Sequence, residues 1–219
     1  ASILHTAAQS AKPELSAEDF AEAYTERYIP PSEDLLLGNK GQKRGKALAY
    51  YYLGLSREKA GDIEGALDAF EAAILTGKST LGVSHRAAQL AGKFGDSDRG
   101  REILEESFKL NQDNPAAYSQ LSTYLWTYHE NRRENRDEAI SIMQDATKRF
   151  PTNASVYGDL ISLYLRLKSR TQAKELLSQA TAQPSEDASF WYQIAKIAES
   201  LYPKRGTSVS EEVTSFYDK

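Results

Sequence analysis

Residues 53–74 read Leu53-Gly54-Leu55-Ser56-Arg57-Glu58-Lys59-Ala60-Gly61-Asp62-Ile63-Glu64-Gly65-Ala66-Leu67-Asp68-Ala69-Phe70-Glu71-Ala72-Ala73-Ile74. Ile63, Ala66, Leu67, Phe70, Ala73 and Ile74 recur every three or four positions, the period of a helix with one buried face. Gly61-Asp62 interrupts the pattern. Glycine ends the preceding helix in a left-handed turn, and aspartate opens the next. The stretch therefore predicts two helices joined by a tight turn. Gly54, Ala66 and Ala73 supply small side chains where helices must approach to about 8–10 Å.

The turn recurs. Gly95-Asp96 lies 34 residues after Gly61-Asp62, and Ala188-Ser189-Phe190-Trp191 lies 34 residues after Ala154-Ser155-Val156-Tyr157. A unit of two helices at this spacing points to a helical repeat. Working outward from residues 47–80, the next unit is 81–114. It keeps phase, with Ser84 in place of an aromatic, Ala87 and Ala88 in place of Leu-Gly, Gly100 in place of the second-helix alanine, and Leu104 at the Phe70 site. Residues 115–153 supply Tyr118, Leu121, Ala139, Met143, Ala146 and Pro151, with five extra residues around His129–Arg136. That polar insertion reads as a locally extended hairpin. Residues 154–187 supply Tyr157, Leu160, Tyr164, Ala173, Leu177 and Ala180. A fifth unit, 188–219, starts with Trp191, Ile194, Ala195 and Ala198. Its second helix is expected to carry Val213 and Tyr217. The chain stops inside this unit, so it reads as a fragment of a longer array.

These residues resemble the tetratricopeptide-repeat (TPR) family. Its unit places an aromatic, Leu-Gly and a tyrosine on the first helix, then Ala and Phe on the second, and closes on proline. Tyr50, Leu53, Gly54, Ala66, Phe70 and Ala73 match that pattern. Arg57 departs from it by replacing the tyrosine, and no proline closes this unit. The resemblance covers about 47–219 and implies an all-α fold, a right-handed α-α superhelix (TPR solenoid) of antiparallel helix pairs. Residues 1–46 fall outside the period. Residues 1–12 read as flexible. Residues 16–37 read as a capping element: a helix from Ser16 to Tyr28, ended by Pro30-Pro31, then a short Leu35–Leu37 turn before Gly38.

Composition narrows the function. The net charge is −4 and the pI about 5.5, whereas nucleic-acid binders carry a basic face. Lys40, Lys43, Arg44 and Lys46 form a short basic run without interleaved aromatics, and read as a helix entry. There is no cysteine, which excludes disulfides, thiolate metal sites and cysteine nucleophiles. His5, His85 and His129 are too far apart for metal-ligand spacing. No glycine-rich phosphate loop follows a strand, and no nucleophile sits beside a base. We therefore expect no enzyme activity, no cofactor, no metal and no nucleic-acid partner. No apolar run reaches the roughly 18–20 residues that cross a bilayer. The compartment stays open between exported, periplasmic and cytoplasmic.

The resemblance implies a protein-interaction scaffold that binds a peptide or partner helix in a concave groove lined by first helices. Carried onto this chain, the groove positions are Tyr51, Tyr52, Leu55, His85, Arg86, Gln89, Lys93, Ser119, Gln120, Thr123, Asp159, Ser162, Tyr192, Gln193 and Lys196. Arg86 and Lys93 would hold an acidic or C-terminal group. One subtype grips acidic chaperone tails with a clamp that needs Lys and Asn on the first helix. Tyr51 and Leu55 stand there, so that ligand is not expected. A second expectation is a substrate-presenting or regulatory segment of a larger enzyme. A third is a small-ligand-binding or self-assembling solenoid, with the open fifth unit stacking on another copy.

Overall fold

A computed structural model describes residues 31–77, 81–128, 133–202 and Thr214, with backbone alone for 31–44 and Gly77. The helices are α1 (Pro31–Ala60), α2 (Ile63–Gly77), α3 (Leu81–Lys93), α4 (Ser97–Leu110), α5 (Pro115–Tyr128), α6 (Arg133–Arg149), α7 (Ala154–Arg166), α8 (Arg170–Thr181) and α9 (Ala188–Leu201). No strand occurs among the described residues. The chain forms two compact units, Ala1–Gln112 and Asp113–Lys219. In the first, α1 packs on α2, α2 on α3, and α3 on α4; in the second, α5–α6 and α7–α8 are hairpins, and α9 packs on both α7 and α8.

The turns show why short loops suffice. Gly61 and Gly95 adopt φ of 85° and 95°. The Asp62 N–H donates to the Arg57 carbonyl at 3.0 Å and the Asp96 N–H to Ala91 at 2.9 Å; the Gly61 and Gly95 N–H groups reach Glu58 and Gly92. This paired bonding closes the orphan carbonyls of a helix end. The aspartates then cap the following helices, Asp62 accepting from the Gly65 N–H at 3.0 Å and Asp96 from the Arg99 N–H at 3.2 Å. The α7–α8 turn repeats the device without glycine. Ser169 N–H donates to the Tyr164 carbonyl at 2.8 Å, and Lys168 takes the left-handed position with φ 59°. A side chain there is strained against the carbonyl, by roughly 1 kcal/mol. Lys168→Gly is expected to raise the unfolding free energy by up to about 1 kcal/mol, less the extra chain entropy of glycine. A higher urea midpoint with unchanged slope is the measured sign.

The small positions lie where the periodicity requires. Ala66, Ala73, Ala139, Ala146, Ala173, Ala180 and Ala195 are all fully buried. Gly54 faces Phe70 so closely that an added Cβ would stand 2.5 Å from the ring. The core of unit 1 joins Ala66, Leu67, Phe70, Ala87, Leu90 and Ala91, with Tyr51, Leu55, Ile74 and Ile103 packed against them. In unit 2 the first-helix aromatics anchor the preceding loop in register. The Tyr157 hydroxyl donates to the Pro151 carbonyl at 3.1 Å, and the Trp191 indole N–H to the Ser185 carbonyl at 2.8 Å. Each reaches six residues back, one repeat apart. Tyr118 packs edge-on against Phe150. Ser84, at the matching position of the second repeat, is fully buried and its hydroxyl lacks a hydrogen-bond partner.

One expectation needs correction. Leu35–Leu37 is not an isolated turn ended by Gly38; residues 31–60 form one continuous helix that starts on Pro31. Gly38, Gly41 and Gly45 each cost only about 1 kcal/mol inside a helix. Once the packed end has nucleated the helix, each further residue adds a bond, and no proline intervenes. Residues 1–12 and 16–30 lie outside the described residues, as do Val213 and Tyr217. Of the 129–136 insertion, residues 133–136 form the first turn of α6, and 129–132 lie outside the description.

Candidate functional site

The first helices of consecutive hairpins sit side by side within each unit, and polar pairs link them. On α1 and α3, Arg86 forks onto the Glu58 carboxylate at 2.8–3.0 Å. On α5 and α7, the Ser119 hydroxyl donates to Asp159 at 2.5 Å. On α7 and α9, Ser155 and Gln193 meet at 3.4 Å. These pairs occupy several of the expected groove positions. Arg86 has its charge matched by Glu58, so its guanidinium is already engaged by the fold. Burial pushes the Asp159 carboxyl above its ordinary value, and the Ser119 bond pulls it partly back.

The remaining expected residues divide by exposure. Tyr51 and Leu55 pack against the core of unit 1. The Tyr51 ring lies 5.5 Å from Tyr52, edge-on, and 5.9 Å from Phe70. His85 is half-buried, its Nδ1 has no hydrogen-bond partner, and burial lowers its pKa. Gln120 is half-buried with its Oε1 unpartnered. Gln89 and Lys93 are exposed on α3, Thr123 on α5 and Ser162 on α7. On α9 the exposed set is Tyr192, Gln193 and Lys196, with the Lys196 Nζ 5.7 Å from the Tyr192 ring.

Sequence reasoning missed a charged cluster on the second helices of unit 1. Arg99 of α4 donates to Glu71 at 2.7 Å, and to Glu64 and Asp68 at 2.9 Å, all on α2. These bonds, Glu71 first, hold the guanidinium firmly protonated. The signal was present: Glu64, Asp68 and Glu71 share one helix face at spacings of four and three. Their common cation lies on another repeat, and no local pattern indicates it. Arg99→Met is expected to lower stability by about 1–2 kcal/mol, because the methionine stem keeps the packing but leaves three carboxylates facing one another unneutralised. Near 1 M salt, where the Debye length is about 3 Å, the difference should shrink by half or more. Denaturant unfolding at two salt concentrations reads both numbers.

Among the described residues no helix is long and apolar enough to cross a membrane. Two family profiles described as tetratricopeptide repeat match residues 132–197 and 48–75. The chain is 28% identical over 146 residues to the TPR repeat-containing protein YpiA of Bacillus subtilis strain 168, across 67% of this chain and 33% of that protein. It thus spans about a third of that relative's length. Among solved structures it is similar to a thermophilic TPR protein of Thermus thermophilus, with TM-score 0.45, 19% identity, and coverage of 71% of this chain and 82% of that one. MamA from Desulfovibrio magneticus matches with TM-score 0.46, 18% identity, and coverage of 74% and 94%. Tetratricopeptide repeats serve generally as protein-interaction scaffolds. With two separate segments matching the repeat, and its turns, small-residue crossings and loop-anchoring aromatics recurring in register, residues 48–75 and 132–197 of this chain are tetratricopeptide repeats.

Proposed function

We propose that this chain is a non-catalytic scaffold that binds an extended peptide or a partner helix on its first-helix face. The observation that carries this reading is Tyr192. From the same helix Phe190, Trp191, Ile194, Ala195 and Ala198 supply the core, while Tyr192 is 56% exposed. More than half of its surface stays outside that core. A rigid aromatic with a polar tip gains much on docking and loses little rotamer entropy, which is why tyrosine recurs among interface anchors. Gln193 and Lys196 border the ring; the fold links them to Ser189 and Glu199, and a docked peptide would share or exchange these exposed contacts. In unit 1, Lys93 presents an exposed cation on α3.

The reading is tested by selecting peptides from a random library displayed on phage and measuring their affinity for variants. Tyr192→Ala is expected to weaken the selected peptides at least about ten-fold, the loss of one anchor. Tyr192→Phe should keep most of the affinity, because the ring is retained. Glu102→Lys, on a second helix, should change nothing. Peptides that bind wild type and Tyr192→Ala equally would exclude the α9 surface.

A further inference from the structure

We propose that the second-helix face of unit 1 is a separate docking site, built for a cationic amphipathic helix of a partner protein. The site is a groove of about 320 Å³ between α2 and α4. Ile74 and Ile103 form its half-buried floor. Leu75 and Leu110 flank them, 79% and 64% exposed. A single exposed leucine is ordinary. Two of them bordering one apolar hollow leave a patch that water covers poorly, and such patches mark interaction surfaces.

Charge selects the occupant. Glu71, Glu102 and Glu106 line the groove with Arg99. Arg99 is already shared among Glu64, Asp68 and Glu71, and Glu102 and Glu106 make no ion pair among the described residues. Three carboxylates therefore share one guanidinium, and two more line the apolar floor without an ion pair among the described residues. A second copy presenting the same face would set carboxylate against carboxylate. Residues 1–30 carry five carboxylates against two lysine or arginine residues, and 203–219 carry three of each. Neither segment is cationic. A partner helix with Leu or Ile at i, i+4 and i+7 fits instead. Its flanking lysines would lay their stems along Leu75 and Leu110 and set their ammonium groups on the glutamates. This surface involves none of the first-helix residues, so it stands or falls independently of Tyr192.

The probe is a synthetic helical peptide with leucines at i, i+4 and i+7 flanked by lysines, compared with a sibling in which every lysine is glutamate. Fluorescence anisotropy with the full chain should show the lysine peptide binding at least about ten-fold tighter than its sibling. Leu75→Ser with Leu110→Ser should weaken it at least about ten-fold. Both sites are exposed, and an unchanged thermal transition will show that the fold survives. Glu102→Lys with Glu106→Lys should reverse the preference between the two peptides. Tyr192→Ala should leave both affinities unchanged. Amide shifts should cluster on α2 and α4. Three outcomes overturn the proposal: equal binding by the leucine variants, shifts centred on α1 and α3, or a wild-type dimer in sedimentation that the leucine variants abolish.

Discussion

Phe70→Ala is expected to lower the unfolding free energy of unit 1 by about 3–5 kcal/mol, the range for emptying a buried phenylalanine site. Phe70 is fully buried, packs 5.9 Å from the Tyr51 ring, and fills the space left by the missing side chain of Gly54. The pairing makes a sharper experiment possible. Gly54→Ala alone places a methyl against the ring, which overpacks the crossing by about 1–3 kcal/mol. Alanine's better helix propensity returns up to about 1 kcal/mol. In the double variant the clash is gone, and the methyl occupies part of the cavity. Gly54→Ala with Phe70→Ala should therefore be no less stable than Phe70→Ala alone, a coupling of at least about 1 kcal/mol. Additive losses in urea unfolding would mean that the glycine and the ring do not share one space.

Ala66→Trp should be damaging for the opposite reason. Ala66 is fully buried in the cluster that joins α2 to α3, with Leu67, Phe70, Ala87, Leu90 and Ala91 around it. An indole is far larger than the methyl group that this closed cluster surrounds. We expect a loss of about 3 kcal/mol or more, at or above the usual range for overpacking. Lys109→Trp, on the exposed surface of α4, should change stability by no more than about 0.5 kcal/mol. Thermal unfolding of the two variants separates a steric effect from a general effect of tryptophan. An unmoved transition in Ala66→Trp would show that the crossing has room.

Both experiments concern positions that were legible in the chain. A 34-residue recurrence, glycine before aspartate at Gly61 and Gly95, and alanine or glycine at the crossings are all local facts, and each acts through the residues beside it. The aromatic loop anchors were less legible. Tyr157 and Trp191 stand one period apart in sequence, but a donor reaching a carbonyl six residues back depends on how the loop folds. Arg86 read as a free cation for an acidic ligand, and the fold pairs it with Glu58, 28 residues away in the chain. The Leu35–Leu37 segment misled because glycine, a common helix stop, is tolerated within a helix that other residues have already nucleated.

By itself the sequence determined the repeat, the helix pairs, their turns and which small side chains sit at the crossings, because these follow from backbone sterics and hydrophobic periodicity over a few residues. The tertiary structure alone decided which charges meet, which aromatics are consumed by the core and which remain outside, and that α2 and α4 enclose an apolar groove ringed by carboxylates. Those outcomes depend on residues from neighbouring repeats coming together. One helix's period does not encode what the adjacent repeat presents to it.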